Sequence, residues 1–204
     1  MCNNLFAHAT IIDIEKMSKS QTVLLYLQLG FQHILPLGID HILFIVALFI
    51  INPKLKQILL QATAFTVAHT ITLGLSMYQI INAPSKIVEV IIALSILFVA
   101  IENIFTQKVK ASRVAIVFVF GLIHGLGFAA ALSEIGLPKS SFISSLLMFN
   151  VGVELGQIAV ITILYFALIK WVANKNYYRN KVVKPLSILI AVVAVYWIVE
   201  RILM

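Results

Sequence analysis

One cysteine, Cys2, stands in the whole chain of 204 residues. That excludes a disulfide framework and a thiolate metal cage within one chain, so any metal site must draw on His, carboxylate and amide groups. Charge is scarce as well: Asp, Glu, Lys and Arg make up 11% of the residues, against about 25% in an ordinary soluble domain. A separate soluble domain does not fit such a composition. What is abundant is apolar surface, with 61% hydrophobic residues and a mean hydropathy of +1.04. The chain reads as an integral membrane protein. The formal charge of +7 does not point to nucleic acid, because Lys and Arg sit in the gaps between apolar runs, where they set orientation and meet anionic headgroups.

A helix needs about 20 apolar residues to cross a hydrocarbon core of about 30 Å. The expected fold is therefore all-α, a polytopic helical bundle of about six transmembrane helices with the first one broken. Residues 1 to 22 read as an N-terminal tail and 23 to 204 as a single transmembrane domain. The short run from Leu5 to Ile12 is cut by His8 and followed by Asp13, Glu15, Lys16 and Lys19 without a small-residue cleavage pattern, unlike a signal peptide. Translation from Met17 is the alternative start.

The first membrane segment, Val23 to Ile51, is too long for one straight crossing and contains Gly30, Pro36 and Gly38. Pro36 lacks an N–H and clashes with the preceding turn, which predicts a kink or break. His33, Asp40 and His41 surround that break. An Asp near the bilayer centre costs about 2.5–3.5 kcal/mol on insertion scales, so Asp40 should face protein, water or an ion. Later segments are expected at Ile58 to Gln79, Ser85 to Phe105, Val114 to Leu132, Phe142 to Trp171 and Pro185 to Met204.

These segments carry further polar residues. Thr66, His69 and Thr70 share one face of the second. Glu89 opens the third and shares a face with Asn103 near its end, beside Glu102. His124 stands beside Gly121 and Gly125, a small-xxx-small pair that admits a close helix neighbour, within the chain or in a homo-oligomer. Asn150, Glu154 and Gln157 form one stripe on the fifth segment. His33, Asp40, His41, His69, His124 and Glu154 thus form one membrane-depth set around a cation or a proton path, with Glu89, Thr66, Thr70, Asn150 and Gln157 beside it. Each taken singly has a plainer reading, as an interhelical hydrogen bond, a hydroxyl bonded back to the preceding turn or, for Glu89 and Glu102, an interfacial carboxylate. Glu134 and Lys139 read as solvated loop ends. Imidazole with carboxylate suits Ni, Zn, Cu or Fe better than the hard ions Mg and Ca.

The loops after segments one and three carry two and three Lys or Arg, including Lys108, Lys110 and Arg113, and the basic stretch from Lys170 to Lys184 at the end of segment five carries five. By the positive-inside rule they are cytoplasmic, which puts both termini outside.

HILPLGIDHILF from His33, FTVAHTITL from Phe65, GLIHGLGFA from Gly121 and FNVGVELGQ from Phe149 resemble, in order, the motifs of the HupE/UreJ family of small membrane proteins. The resemblance covers about residues 24 to 170. It implies a nickel permease, or a nickel and cobalt uptake accessory of hydrogenase and urease systems, whose His-plus-Asp segment binds the metal. Carried over, His33, Asp40 and His41 are the ligands, with His69, His124 and Glu154 at the other motif positions. Members of that family often begin with a cleavable signal peptide, and this chain departs from them there. The expected function is an inner-membrane permease for a divalent transition metal such as Ni, Co or Zn. The alternatives are an intramembrane zinc-dependent hydrolase, with a Glu as general base, and a non-transporting membrane subunit of metallocentre assembly, which the lack of a large soluble loop disfavours.

Overall fold

The computed structural model describes residues 17–106, 112–135 and 141–203, with residue 134 described by its backbone alone. The expectations for His8 and the rest of residues 1–16, for Lys108, Lys110 and Lys139, and for the Glu134 side chain lie outside the described residues. Helix accounts for 87% of the structure, with no strand among the described residues. The all-α membrane bundle expected from composition is the fold observed.

The first segment is two helices, α1 (Lys19–Ile34) and α2 (Ile39–Ile51), which meet at an angle of 64°. Ser18 starts α1 through a capping box: its hydroxyl accepts from the Gln21 amide, and the Gln21 side chain accepts from the Ser18 amide. Pro36 stops it. At 13 residues, α2 is about 20 Å long and too short to cross by itself. The next four helices are α3 (Leu55–Met77), α4 (Ser85–Phe105), α5 (Arg113–Ile135) and α6 (Phe142–Leu164). A π-helical turn at Tyr165–Ile169 carries α6 on to Val172. The last helix, α7 (Lys184–Leu203), is preceded by a π turn at Arg179–Val183, so this span begins at Arg179. Five spans are long and apolar enough to cross a membrane, and the bent pair α1–α2 raises the number to six.

Three tightly packed pairs, α1 with α6, α3 with α5 and α4 with α7, enclose α2. Helix α2 is apolar almost all round and buries Phe44, Ile45, Ala47, Leu48, Phe49 and Ile50, as a helix inside a bundle does. Large apolar side chains such as Leu24, Val119, Ile163 and Val192 face outward, where lipid would meet them.

Glycine sets two of the seams. A Cβ on Gly121 would lie 2.5 Å from the Phe65 carbonyl oxygen, so α5 approaches the backbone of α3 within this chain. The second seam, between α1 and α6, uses Gly152 and Gly156, four residues apart on α6, against Gly30 of α1. A Cβ on Gly152 would overlap the Leu27 carbonyl oxygen and lie 2.8 Å from the Phe31 nitrogen.

The helix ends that the three basic connections join gather at one end of the bundle. There the Asn103 amide donates to the Ala47 carbonyl at 2.6 Å, and Arg113, itself buried, donates to Asn103 at 3.2 Å and pairs with Glu102 at 3.0 Å. The Tyr178 hydroxyl donates to the Ile50 carbonyl at 2.7 Å. Burial pushes that hydroxyl above its ordinary value of 10.0, so it stays a neutral donor. Arg179 donates to the carbonyls of Thr106 and Ile104 at the end of α4. These last contacts explain why the chain is already helical at Arg179, where the basic composition suggested a loop: cations satisfy terminal carbonyls and meet the negative end of a helix.

Candidate metal centre

The break between α1 and α2 places the first candidate ligands. His33 lies in the last turn of α1, while Asp40 and His41 lie in the first turn of α2. The connecting turn is held by Leu37 donating to the Gln32 carbonyl at 3.3 Å and Gly38 donating to the Ile34 carbonyl at 3.2 Å. A Cβ on Gly38 would overlap the His33 carbonyl, so only glycine lets α2 start this close to the end of α1. The negative end of α1 faces the break, and Asp40 offsets the positive start of α2.

The α3–α5 seam brings the other two histidines. His69 stands on α3, and Gly125, one residue after His124 on α5, packs against the His69 carbonyl. The His33 ring centroid lies 4.7 Å from that of His41 and 5.9 Å from that of His69, and His41 lies 5.0 Å from His124. Phe44, Phe65, Phe128 and Phe149 ring the four imidazoles; Phe128 is 4.0 Å from His33, and Phe65 is 5.0 Å from His124. His41, His69 and His124 are buried to 3, 0 and 1% exposure.

Neighbouring groups determine which ring nitrogens carry protons. The Asn150 amide donates to the Leu146 carbonyl at 2.8 Å, which turns its oxygen toward His69 Nδ1 at 3.1 Å. His69 Nδ1 must therefore donate, leaving a lone pair on Nε2. Asp40 accepts from His41 Nδ1 at 3.0 Å, leaving Nε2 of His41 in the same state. Ser95 donates to the Ile92 carbonyl at 2.7 Å and so accepts from His124 Nε2 at 3.2 Å, leaving Nδ1. The free nitrogens, Nε2 of His33, His41 and His69 and Nδ1 of His124, are all buried without a hydrogen-bond partner.

A buried unsatisfied polar atom costs about 1–3 kcal/mol, so four in one place is an expensive arrangement unless a ligand supplies the missing bonds. Imidazoles held by a carboxylate, an amide and a hydroxyl are oriented as metal-binding histidines are. Ligand atoms of His33, His41 and His69 lie within 4.8 Å of one another, as do those of Asp40, His41 and His124. His41 belongs to both groups. The donor set fits a divalent transition metal.

Ser95 carried no signal in the sequence, being a lone hydroxyl in an apolar helix. Its replacement is informative: Ser95→Ala should weaken metal binding about tenfold by releasing the His124 tautomer, measured by competition against a chromophoric chelator with helix content unchanged.

The remaining candidates are placed apart. Glu154 is half-buried in the α3–α6 groove, where Thr63 and Thr66 donate to its two oxygens at 2.7 and 2.5 Å; it is in neither ligand group. Antiparallel packing sets this contact about one turn from the His69–Asn150 pair. Thr70 bonds back to the Thr66 carbonyl at 2.7 Å. Glu89 lies at the start of α4 beside the end of α7, half-exposed, with Arg201 donating to its carbonyl at 2.5 Å. Gln157 is buried and its Oε1 has no partner.

A bent span and a buried cluster of oriented imidazoles define a polytopic membrane protein with a candidate transition-metal centre. Comparison with known families agrees: the family described as HupE / UreJ protein matches residues 9–201. The chain belongs to the HupE/UreJ family. No curated protein and no solved structure matches it.

Proposed function

We propose that this protein is an inner-membrane permease for a divalent transition metal of the nickel and cobalt type, with the ion as its substrate. One observation carries the reading: four imidazoles, three of them buried with fixed tautomers, gather buried, unpartnered nitrogens beside a break in a membrane helix. Irregular backbone at membrane depth is tolerated where it lines a cavity or a binding site, and transporters place discontinuous helices around their ions. His33, His41, His69 and His124 hold the ion together with Asp40, and Asn150 and Ser95 orient them. Glu154, with Thr66, serves the pathway one turn away. The basic end of the bundle is cytoplasmic and both termini are outside.

The hydrolase reading draws less support. The Glu154 carboxylate, its candidate base, is engaged by two hydroxyls. The enclosed cavity touching His41 offers about 10 Å³ to water centres, room for about one water.

Proteoliposomes loaded with a metal indicator test the permease. Uptake of Ni²⁺, Co²⁺ or Zn²⁺ is expected, weaker as the pH falls because bound imidazole must be neutral. Failure to take up any of them at every pH tried would overturn the reading.

A further inference from the structure

The five candidate ligands fall into two sets. His33, His41 and His69 form the first, and Asp40, His41 and His124 the second; within each set the ligand atoms lie no more than 4.8 Å apart. The sets have one member in common, His41. An ion with bonds of about 2.1 Å holds two ligands about 4.2 Å apart at most, so either set closes on an ion after shifts of about half an ångström.

The sets also hang on different helices. His33 ends α1, and His69 stands on α3, where Asn150 of α6 holds its Nδ1. Asp40 opens α2, and His124 stands on α5, where Ser95 of α4 holds its Nε2. Their surroundings differ in the same way: the His33 ring packs on Phe128 and Phe149, the His124 ring on Phe44 and Phe65. The His41 ring touches both sides, 4.7 Å from His33 and 5.0 Å from His124. A neutral imidazole offers one lone pair, so His41 completes one set at a time.

The two sets are chemically unequal. The second contains the Asp40 carboxylate, whose charge attracts a cation strongly where little water screens it, and the first contains imidazoles alone. Conduction through a membrane uses adjacent sites that bind strongly enough to load and weakly enough to release. We infer that the centre holds one ion in two alternating seats: it rests on Asp40, His41 and His124 and passes to His33 and His69, with His41 as the ligand that both seats use. The five ligands thus act in turn. The handover rests on the permease reading, whereas the two seats are a property of binding alone.

Full-length protein loaded with Ni²⁺ tests the seats, and the same protein in liposomes tests the handover. Wild-type protein should bind one ion per chain, and X-ray absorption should count two imidazoles around it. His124→Gln, which keeps a polar side chain of similar size, should weaken binding about tenfold and raise the count to three, because the ion moves to the imidazole seat. Asp40→Asn keeps an acceptor for His41 without the charge and should raise the count as well. Mere structural damage does not add an imidazole. His69→Gln should leave the count at two, bind more tightly than His124→Gln, and slow uptake at least about tenfold. Four imidazoles in the wild type, or two ions per chain, would overturn the seats. Wild-type uptake by His69→Gln would overturn the handover. Wild-type protein that binds Ni²⁺ and takes none up would overturn the permease reading and leave the seats, read from binding, standing.

Discussion

His41→Ala is expected to lower metal affinity by about 100-fold or more and to abolish uptake. The residue is shared by both ligand groups, and its ring touches those of His33, His69 and His124. Complete structural sites bind zinc with about 10–16 kcal/mol; divided over four ligands, that is about 3 kcal/mol each, or two orders of magnitude in Kd. The loss should be deeper than for Ser95→Ala, which leaves every ligand in place. Titration with Ni²⁺ and Zn²⁺ against a competing chelator checks it. Wild-type affinity in His41→Ala would place the metal elsewhere.

The largest effect on stability is expected from Gly152→Leu, at about 3 kcal/mol, the upper end of ordinary overpacking. What a side chain meets there is backbone: the Leu27 carbonyl, the Phe31 nitrogen and the Gly30 Cα. None of these is the movable end of a side chain, so α1 must separate from α6, carrying His33 with it. Gly74→Ala is the control, because its Cβ would meet only the tip of Leu146, at 3.2 Å. Denaturant unfolding in detergent micelles should show an early midpoint for Gly152→Leu and a near-normal one for Gly74→Ala. Equal midpoints would mean that the α1–α6 seam contributes little. A metal titration of Gly152→Leu should be weakened as well, since His33 travels with α1.

Much of this architecture was legible because lipid leaves sequence few choices. The apolar runs marked the spans within a few residues, Pro36 marked the break, and the histidines of four segments are the ones that packing brings together. Gly121 and Gly125 announced a close seam because they share one helix at four-residue spacing. Gly152 and Gly156 repeat that spacing on α6, but their partner Gly30 lies more than a hundred residues away, and no local spacing names it. The partners of His124 and Glu154 were hidden for a related reason. Ser95 and Thr63 look like isolated hydroxyls until tertiary packing turns them toward a ring and a carboxylate. Likewise, the helix beginning at Arg179 depends on carbonyls at the end of α4, which composition of the 170–184 stretch does not contain.

The bonds from Asn103 to the Ala47 carbonyl and from Tyr178 to the Ile50 carbonyl hold the far end of α2, while its near end carries Asp40 and His41 at the break. Mechanically, α2 is a cantilever about 20 Å long with a candidate ligand at its tip. A tilt of about 10° about the clamped end moves that tip by about 3 Å, more than a metal–nitrogen bond of about 2.1 Å. A rotation that leaves every helix intact is then sufficient to take His41 out of reach of the other three imidazoles.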